Sequence, residues 1–195
     1  MKENRFSFSR IALLSIAALM LLMCSCVGGG NSTLKLIQQA HDALSEATPL
    51  REDLEGLLKK LEGLGTRFKE AEDTLKEGKS LVNLAKEDVL ALRETYLRAD
   101  EALARAEEEG RGDYARYAQL LREALGLRLE VLDLQEEYLR IVSDFLDVLP
   151  YAEERSQLQY YLESMERVSR EMAEKSERSA LAAEKADSFR REHGL

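Results

Sequence analysis

Few side chains in this sequence have the type and spacing that chemistry needs. Cys24 and Cys26 are its only cysteines, set two apart in "LLMCSCVGGGN" at the end of an apolar run. Such a pair could be a redox couple or part of a metal clip. His41 and His193 are the only histidines, and neither stands in an HExxH motif or in the paired ExxH motifs that four-helix di-metal proteins project inward. Glu107-Glu108-Glu109, Glu136-Glu137 and Glu153-Glu154 could hold calcium loosely, but they lack the alternating oxygen ligands and central glycine of a dedicated loop. No serine, cysteine or lysine is paired with a base that would activate it as a nucleophile. The sequence therefore predicts no catalytic residue, no metal and no cofactor, and so a protein that is not an enzyme.

One tripeptide could take part in recognition. Arg111-Gly112-Asp113, in "EEEGRGDYAR", resembles the motif of integrin ligands, in which a guanidinium and a carboxylate flank a glycine turn. The resemblance implies contact with a receptor socket and its bound cation. A second reading of the same residues is plain turn chemistry, with the glycines breaking the chain and Asp113 capping the helix that follows.

The cysteines are better explained by what precedes them. Lys2, Arg5 and Arg10, an apolar run from Ile11 to Met23, and then small residues have the order of an export signal. The run is too short to span a hydrocarbon core about 30 Å thick. Ser25 followed by Cys26, with Val27-Gly28-Gly29-Gly30-Asn31-Ser32 beyond, resembles the lipobox of bacterial lipoproteins. Met23 and Cys24 at the two preceding positions match the looser boxes of spirochaetes. The resemblance implies cleavage before Cys26 and its acylation, palmitate included, with Cys24 as the rival acceptor. One blocked cysteine excludes a disulfide framework. The expected organisation is a signal peptide over 1–26, a flexible tether over 27–32 and one domain over 33–195.

The whole chain carries a net charge of −9. Removing residues 1–26 leaves 25 basic and 36 acidic residues, a net charge near −11. So acidic a body repels nucleic-acid phosphates and anionic headgroups. The partners expected are a membrane, reached through the N-terminal lipid, and an unidentified protein, with a homo-oligomer possible.

Three apolar seams must position all of this. Leu50, Leu54, Leu57, Leu61, Leu64, Phe68, Ala71, Leu75, Gly78, Val82, Ala85, Val89, Leu92, Tyr96, Ala99, Leu103 and Ala106 recur at alternating steps of four and three. That is the period of a coiled-coil stripe. A second seam runs from Tyr117 to Val148 with extra apolar neighbours, wide enough to touch two helices. A third runs from Leu158 to Phe189 and weakens through Lys175 and Ser179. Arg128 and Gln135, on the edge of the second seam, are candidates to set register. Pro49 and Pro150 suit helix starts, and Gly110-Arg111-Gly112 suits a break. No stretch alternates long enough for a strand.

The sequence thus predicts an all-α fold with helices at about 33–47, 50–63/66–107, 114–149 and 151–192, broken or bent at Gly63 and Gly65. Helix lengths suggest an elongated antiparallel three-helix coiled coil with a short N-terminal hairpin. In that arrangement the 107–113 turn lies at the tip far from the lipid. The function expected is that of a membrane-anchored, non-catalytic lipoprotein of the bacterial cell envelope, where Val27 after the cysteine, in place of Asp, resembles lipoproteins that enteric bacteria sort to the outer membrane. It would act as a scaffold or interaction stalk, or else as a surface-displayed adhesin that meets host protein through the distal turn.

Overall fold

The computed structural model describes residues 32–65, 71–152 and 155–195. The signal segment, Cys24, Cys26 and the tether up to Asn31 lie outside the described residues. Within them the chain is all-α, with four helices: α1 (Ser32–Gly65), α2 (Ala71–Glu109), α3 (Asp113–Val148) and α4 (Arg155–His193). A 3₁₀ turn over Leu149–Tyr151 follows α3, with Pro150 near its start. At 1.5 Å per residue the helices are about 51, 58, 54 and 58 Å long.

Each seam becomes the buried stripe of a helix. On α2, Val82, Ala85, Val89, Leu92, Tyr96, Ala99, Leu103 and Ala106 are buried, and Gly78 lies buried on the same stripe. On α3, Leu120 and Ala124 lie on one side of a wide apolar face, with Leu125, Leu132, Leu139 and Leu146 on the other. That width serves two neighbours, because α3 packs along both α2 and α4. On α4 the best-buried positions are Val168, Ser179 and Ala186, so the small residues of its second half lie closest to α3. The Ser179 hydroxyl donates to the Ala124 carbonyl at 3.1 Å, which satisfies it inside the interface.

Ion pairs fix the directions of packing. Arg98 of α2 meets Glu46 of α1 at 2.7 Å, and Thr33 at the start of α1 lies beside Gly110 at the end of α2. Arg93 of α2 reaches Asp133 at 2.7 Å and Glu136 at 3.1 Å on α3, while Arg122 of α3 reaches Asp100 at 2.9 Å and Glu107 at 2.8 Å on α2. Between α3 and α4 the acids Glu123, Glu130 and Glu137 recur every seven residues, and they meet Lys185, Lys175 and Arg167. In every pair one number rises as the other falls, so consecutive helices are antiparallel.

This corrects the expected three-helix arrangement with an N-terminal hairpin. Residues 32–65 form one helix that passes through Pro49, and the bundle has four helices of matched length. The apolar stripe explains why. Leu36, Ala40, Ala43, Ala47, Leu54 and Leu61 are all buried, in phase on both sides of the proline. Pro49 and Ser45 are exposed, so the Ser45 carbonyl that loses its amide partner faces water. Thr48 also bonds back to the Leu44 carbonyl at 3.5 Å.

Replacing Pro49 by Ala in a helix interior restores a backbone bond and removes a clash. Pro49→Ala is therefore expected to raise stability by about 1–3 kcal/mol, read from urea unfolding followed by circular dichroism. If Pro49 instead opened a separate helix, the change would be neutral or destabilising.

Candidate functional site

The four helices bring four chain ends together at one end of the bundle. These are the start of α1 at Ser32, the connection 110–112, the start of α3 and the end of α4. Gly110 closes the reversal: a Cβ there would collide with the Ala106 carbonyl and lie 3.0 Å from the Thr33 Cγ2. Gly112 takes φ +60°, where a side chain is strained. The Arg111-Gly112-Asp113 turn is exposed, but it lies next to the first turn of α1, not at the opposite tip. The reason is parity. An undivided α1 removes the expected extra reversal near Pro49 and returns the 110–112 connection to the starting end.

Asp113 also differs from its expected role. The position before α3 is Gly112, and no side chain caps the helix. The Asp113 carboxylate instead meets the Nδ1 of His193, at the end of α4, at 3.0 Å. His193 in turn stacks on Phe189, with ring centroids 4.1 Å apart. Gly194 then follows α4 at φ +66°, and the Leu195 amide bonds to the Arg190 carbonyl at 3.1 Å, a left-handed cap on α4.

His41 sits deeper in the same end. Its Nε2 is 3.4 Å from the Tyr117 hydroxyl of α3. Burial holds its pKa below the ordinary histidine value, with Arg190 of α4 adding repulsion and Asp42 opposing both. Burial pushes Tyr117 up to about 12. Among the described residues no three of the His, Cys, Asp and Glu side chains converge on a point where a metal could be held.

Further along the bundle, Arg128 of α3 is half-buried beside Tyr96 of α2. Burial disfavours its charge, the Tyr96 oxygen supports it and Arg51 of α1 adds repulsion. Arg128 thus faces α2 and α1 at once. Tyr138, about three helical turns closer to the far end, is raised to about 12 by burial and by Glu62 of α1.

The end opposite Ser32 has a different character. Phe145 of α3 packs edge-on against Tyr161 of α4, with centroids 6.3 Å apart, and Tyr161 packs edge-on against Tyr160 at 5.5 Å. Phe145 is buried, Tyr161 is half-buried and Tyr160 is 71% exposed, so the three rings lead from core to water. Tyr151, on the 3₁₀ turn, is 82% exposed. The exposed leucines are Leu34 on α1, Leu84, Leu90 and Leu97 on α2, and Leu162 and Leu181 on α4. The sequence reading missed Tyr160 because it follows the seam; a tyrosine one position before seam residue Tyr161 was the available signal.

No protein-family model, no curated protein and no solved structure matches the chain. Among the described residues no helix is long and apolar enough to cross a membrane. A shallow depression of about 340 Å³ lies between α1 and α2 and is lined by Asp42, Glu46, Arg98 and Arg105 among others. Its mixed charges are already partly paired through Arg98 and Glu46.

The Arg128 and Tyr96 pair yields a stability test. Tyr96→Phe removes the oxygen that supports a half-buried guanidinium and is expected to cost about 1–3 kcal/mol. Arg128→Met removes the charge and the need for that oxygen together, so it should be neutral or stabilising and should rescue Tyr96→Phe. Chemical denaturation of the two single variants and the double variant measures the coupling.

Proposed function

We propose that this chain is a non-catalytic, lipid-anchored lipoprotein of the bacterial cell envelope, acylated at Cys26, which acts as a stalk or scaffold for a protein partner. The observation that carries the reading is the place of Ser32. The first helix starts six residues after Cys26. Six residues reach at most about 20 Å even when fully extended. In this reading the end bearing Ser32, the 110–112 turn and Leu195 stays close to the membrane. The end bearing Tyr151 and Tyr160 then stands one bundle length away from it, more than about 50 Å.

The far end suits protein contact. Exposed tyrosines held by neighbouring rings offer contact area at low cost in side-chain entropy, and aromatic residues are enriched among the anchors of interfaces. The rest of the outer surface is largely charged, with its large apolar side chains mostly single, as on ordinary solvated surfaces. A receptor contact through Arg111-Gly112-Asp113 is less well supported. The turn shares an end with the tether, and the Asp113 carboxylate is engaged by His193.

Two measurements in the native host test this. Labelling with radioactive palmitate should mark the chain, should persist in Cys24→Ser and should vanish in Cys26→Ser. A photo-crosslinking residue in place of Tyr160 or Tyr151 should trap one discrete protein, while the same residue at Leu90, on the outer face of α2, should not. Equal trapping from all three positions, or from none, would refute partner contact at the far end.

A further inference from the structure

We infer that the face of α3 covered by α4 is a docking site for an amphipathic helix of a protein partner, with α4 its displaceable occupant. The seam of α3 carries Leu120, Leu127, Val131, Leu134, Ile141 and Phe145 at coiled-coil spacing. Beside it Glu123, Glu130 and Glu137 recur every seven residues and meet Lys185, Lys175 and Arg167 of α4. The helix that fits such a face has an unbroken apolar seam flanked by a row of Lys or Arg.

α4 supplies the cations without the full seam. The Ser179 bond to the Ala124 carbonyl and the pair of Arg167 with Glu137 fix the level of the two helices, so Met172, Lys175 and Ser179 lie alongside the stretch from Leu127 to Leu134. Lys175 uses its seam position for the ion pair with Glu130, and Ser179 uses its own for a backbone carbonyl. Leu127, Val131 and Leu134 are left half-buried, while Leu120, Ile141 and Phe145, nearer the two ends, are buried. Of the described α4 side chains only Val168, Ser179 and Ala186 are buried, and the helix packs along α3 alone. It joins the core cluster at its ends, through Leu158, Tyr161 and Met165 and through Ala186 and Phe189. So few buried apolar contacts leave α4 the least firmly held of the four helices.

Charge decides between occupants. The same α3 face of a second copy would set Glu123, Glu130 and Glu137 against their own counterparts, and like charges across an interface repel. The α4 of a second copy has the same broken seam, so it gains nothing over the attached one, which its tether holds at an effective concentration of about a millimolar. What improves on α4 is a foreign helix that keeps the cations and completes the seam, docking in the helix-in-groove mode. Such a helix belongs to the protein partner proposed above, so this site rests on that reading. A partner met at Tyr160 stands beside Tyr161, whose ring contact with Phe145 closes the far end of the interface between α3 and α4.

The test uses the full chain, labelled with nitrogen-15 and held in phosphatidylcholine nanodiscs, and a synthetic peptide as the probe. The peptide carries residues 155–193 with Lys175→Leu and Ser179→Leu, so that it differs from α4 only in the seam; empty nanodiscs correct for peptide taken up by lipid. At about 0.1 mM, below the effective concentration of the tethered helix, it should bind one to one. Hydrogen exchange read by mass spectrometry should then show at least a tenfold loss of protection over 158–189 of the labelled chain, while 120–148 of α3 hold theirs. The unsubstituted peptide should do neither at that concentration. A chain that itself carries Lys175→Leu and Ser179→Leu should resist the substituted peptide, and Glu130→Lys with Glu137→Lys in the chain should weaken its binding at least tenfold. No binding, binding without loss of protection in α4, equal displacement by the two peptides, or binding indifferent to the charge reversal would overturn the inference. The crosslinking at Tyr160 decides the far-end contact independently of these results.

Discussion

Pro49 removes a backbone donor from the middle of α1 and sets its ring against the carbonyl four residues earlier, a cost of about 3 kcal/mol in a helix interior. Burial offsets that cost. Ala40, Ala43, Ala47, Leu54 and Leu61 reach the core only if the helix keeps its phase through the proline, and burying a leucine side chain contributes about 1.5–3 kcal/mol. The demand behind this is one of length. A helix with an apolar stripe needs a partner along its whole extent, and α2, α3 and α4 are 36 to 39 residues long. A 34-residue α1 covers α2 almost completely, whereas a stub ending near Ala47 would leave half of that surface in water.

The continuity of α1 also decides what meets at each end. Four antiparallel helices return the chain to its starting end after α2 and again after α4. That is why Thr33 touches the 110–112 connection and why Asp113 can reach His193, 80 positions further on in the sequence. A single additional reversal would have separated these groups by the length of the bundle. The environment of Arg111-Gly112-Asp113 is therefore a consequence of helix count and not of its local sequence.

This explains which features were legible in advance. The helical class, the stripes of α2 and α3, the double-sided contact of α3 and the break around Gly110 follow from local periodicity and turn chemistry, and each was readable. The path of α1 was not, because a proline between two seams in phase fits either a helix start or a helix interior. Phase does not decide the question: the seam also runs unbroken from Leu61 through Leu64 to Leu75, yet α1 ends at Gly65. What distinguishes the two places is the glycine pair at Gly63 and Gly65, which weakens the helix by about 1 kcal/mol per residue and suits a C-cap, against one exposed proline among helix formers. The partner of Asp113 was hidden for another reason, since it depends on the number of reversals in the whole chain.

The two ends use their polar and aromatic groups in opposite ways. At the end with Ser32, charged and hydrogen-bonding side chains are turned on one another: Asp113 on His193, His41 on Tyr117, and Arg122 on Asp100 and Glu107. Those contacts engage the groups named with one another. At the far end Phe145 supports Tyr161, which supports Tyr160, and the last ring faces water. A ring already restrained by its neighbours loses little freedom when a partner covers it, so more of the buried area counts toward affinity. An exposed tyrosine adds nothing to the core, and it is this support by two other rings that the proposed partner contact at the far end rests on.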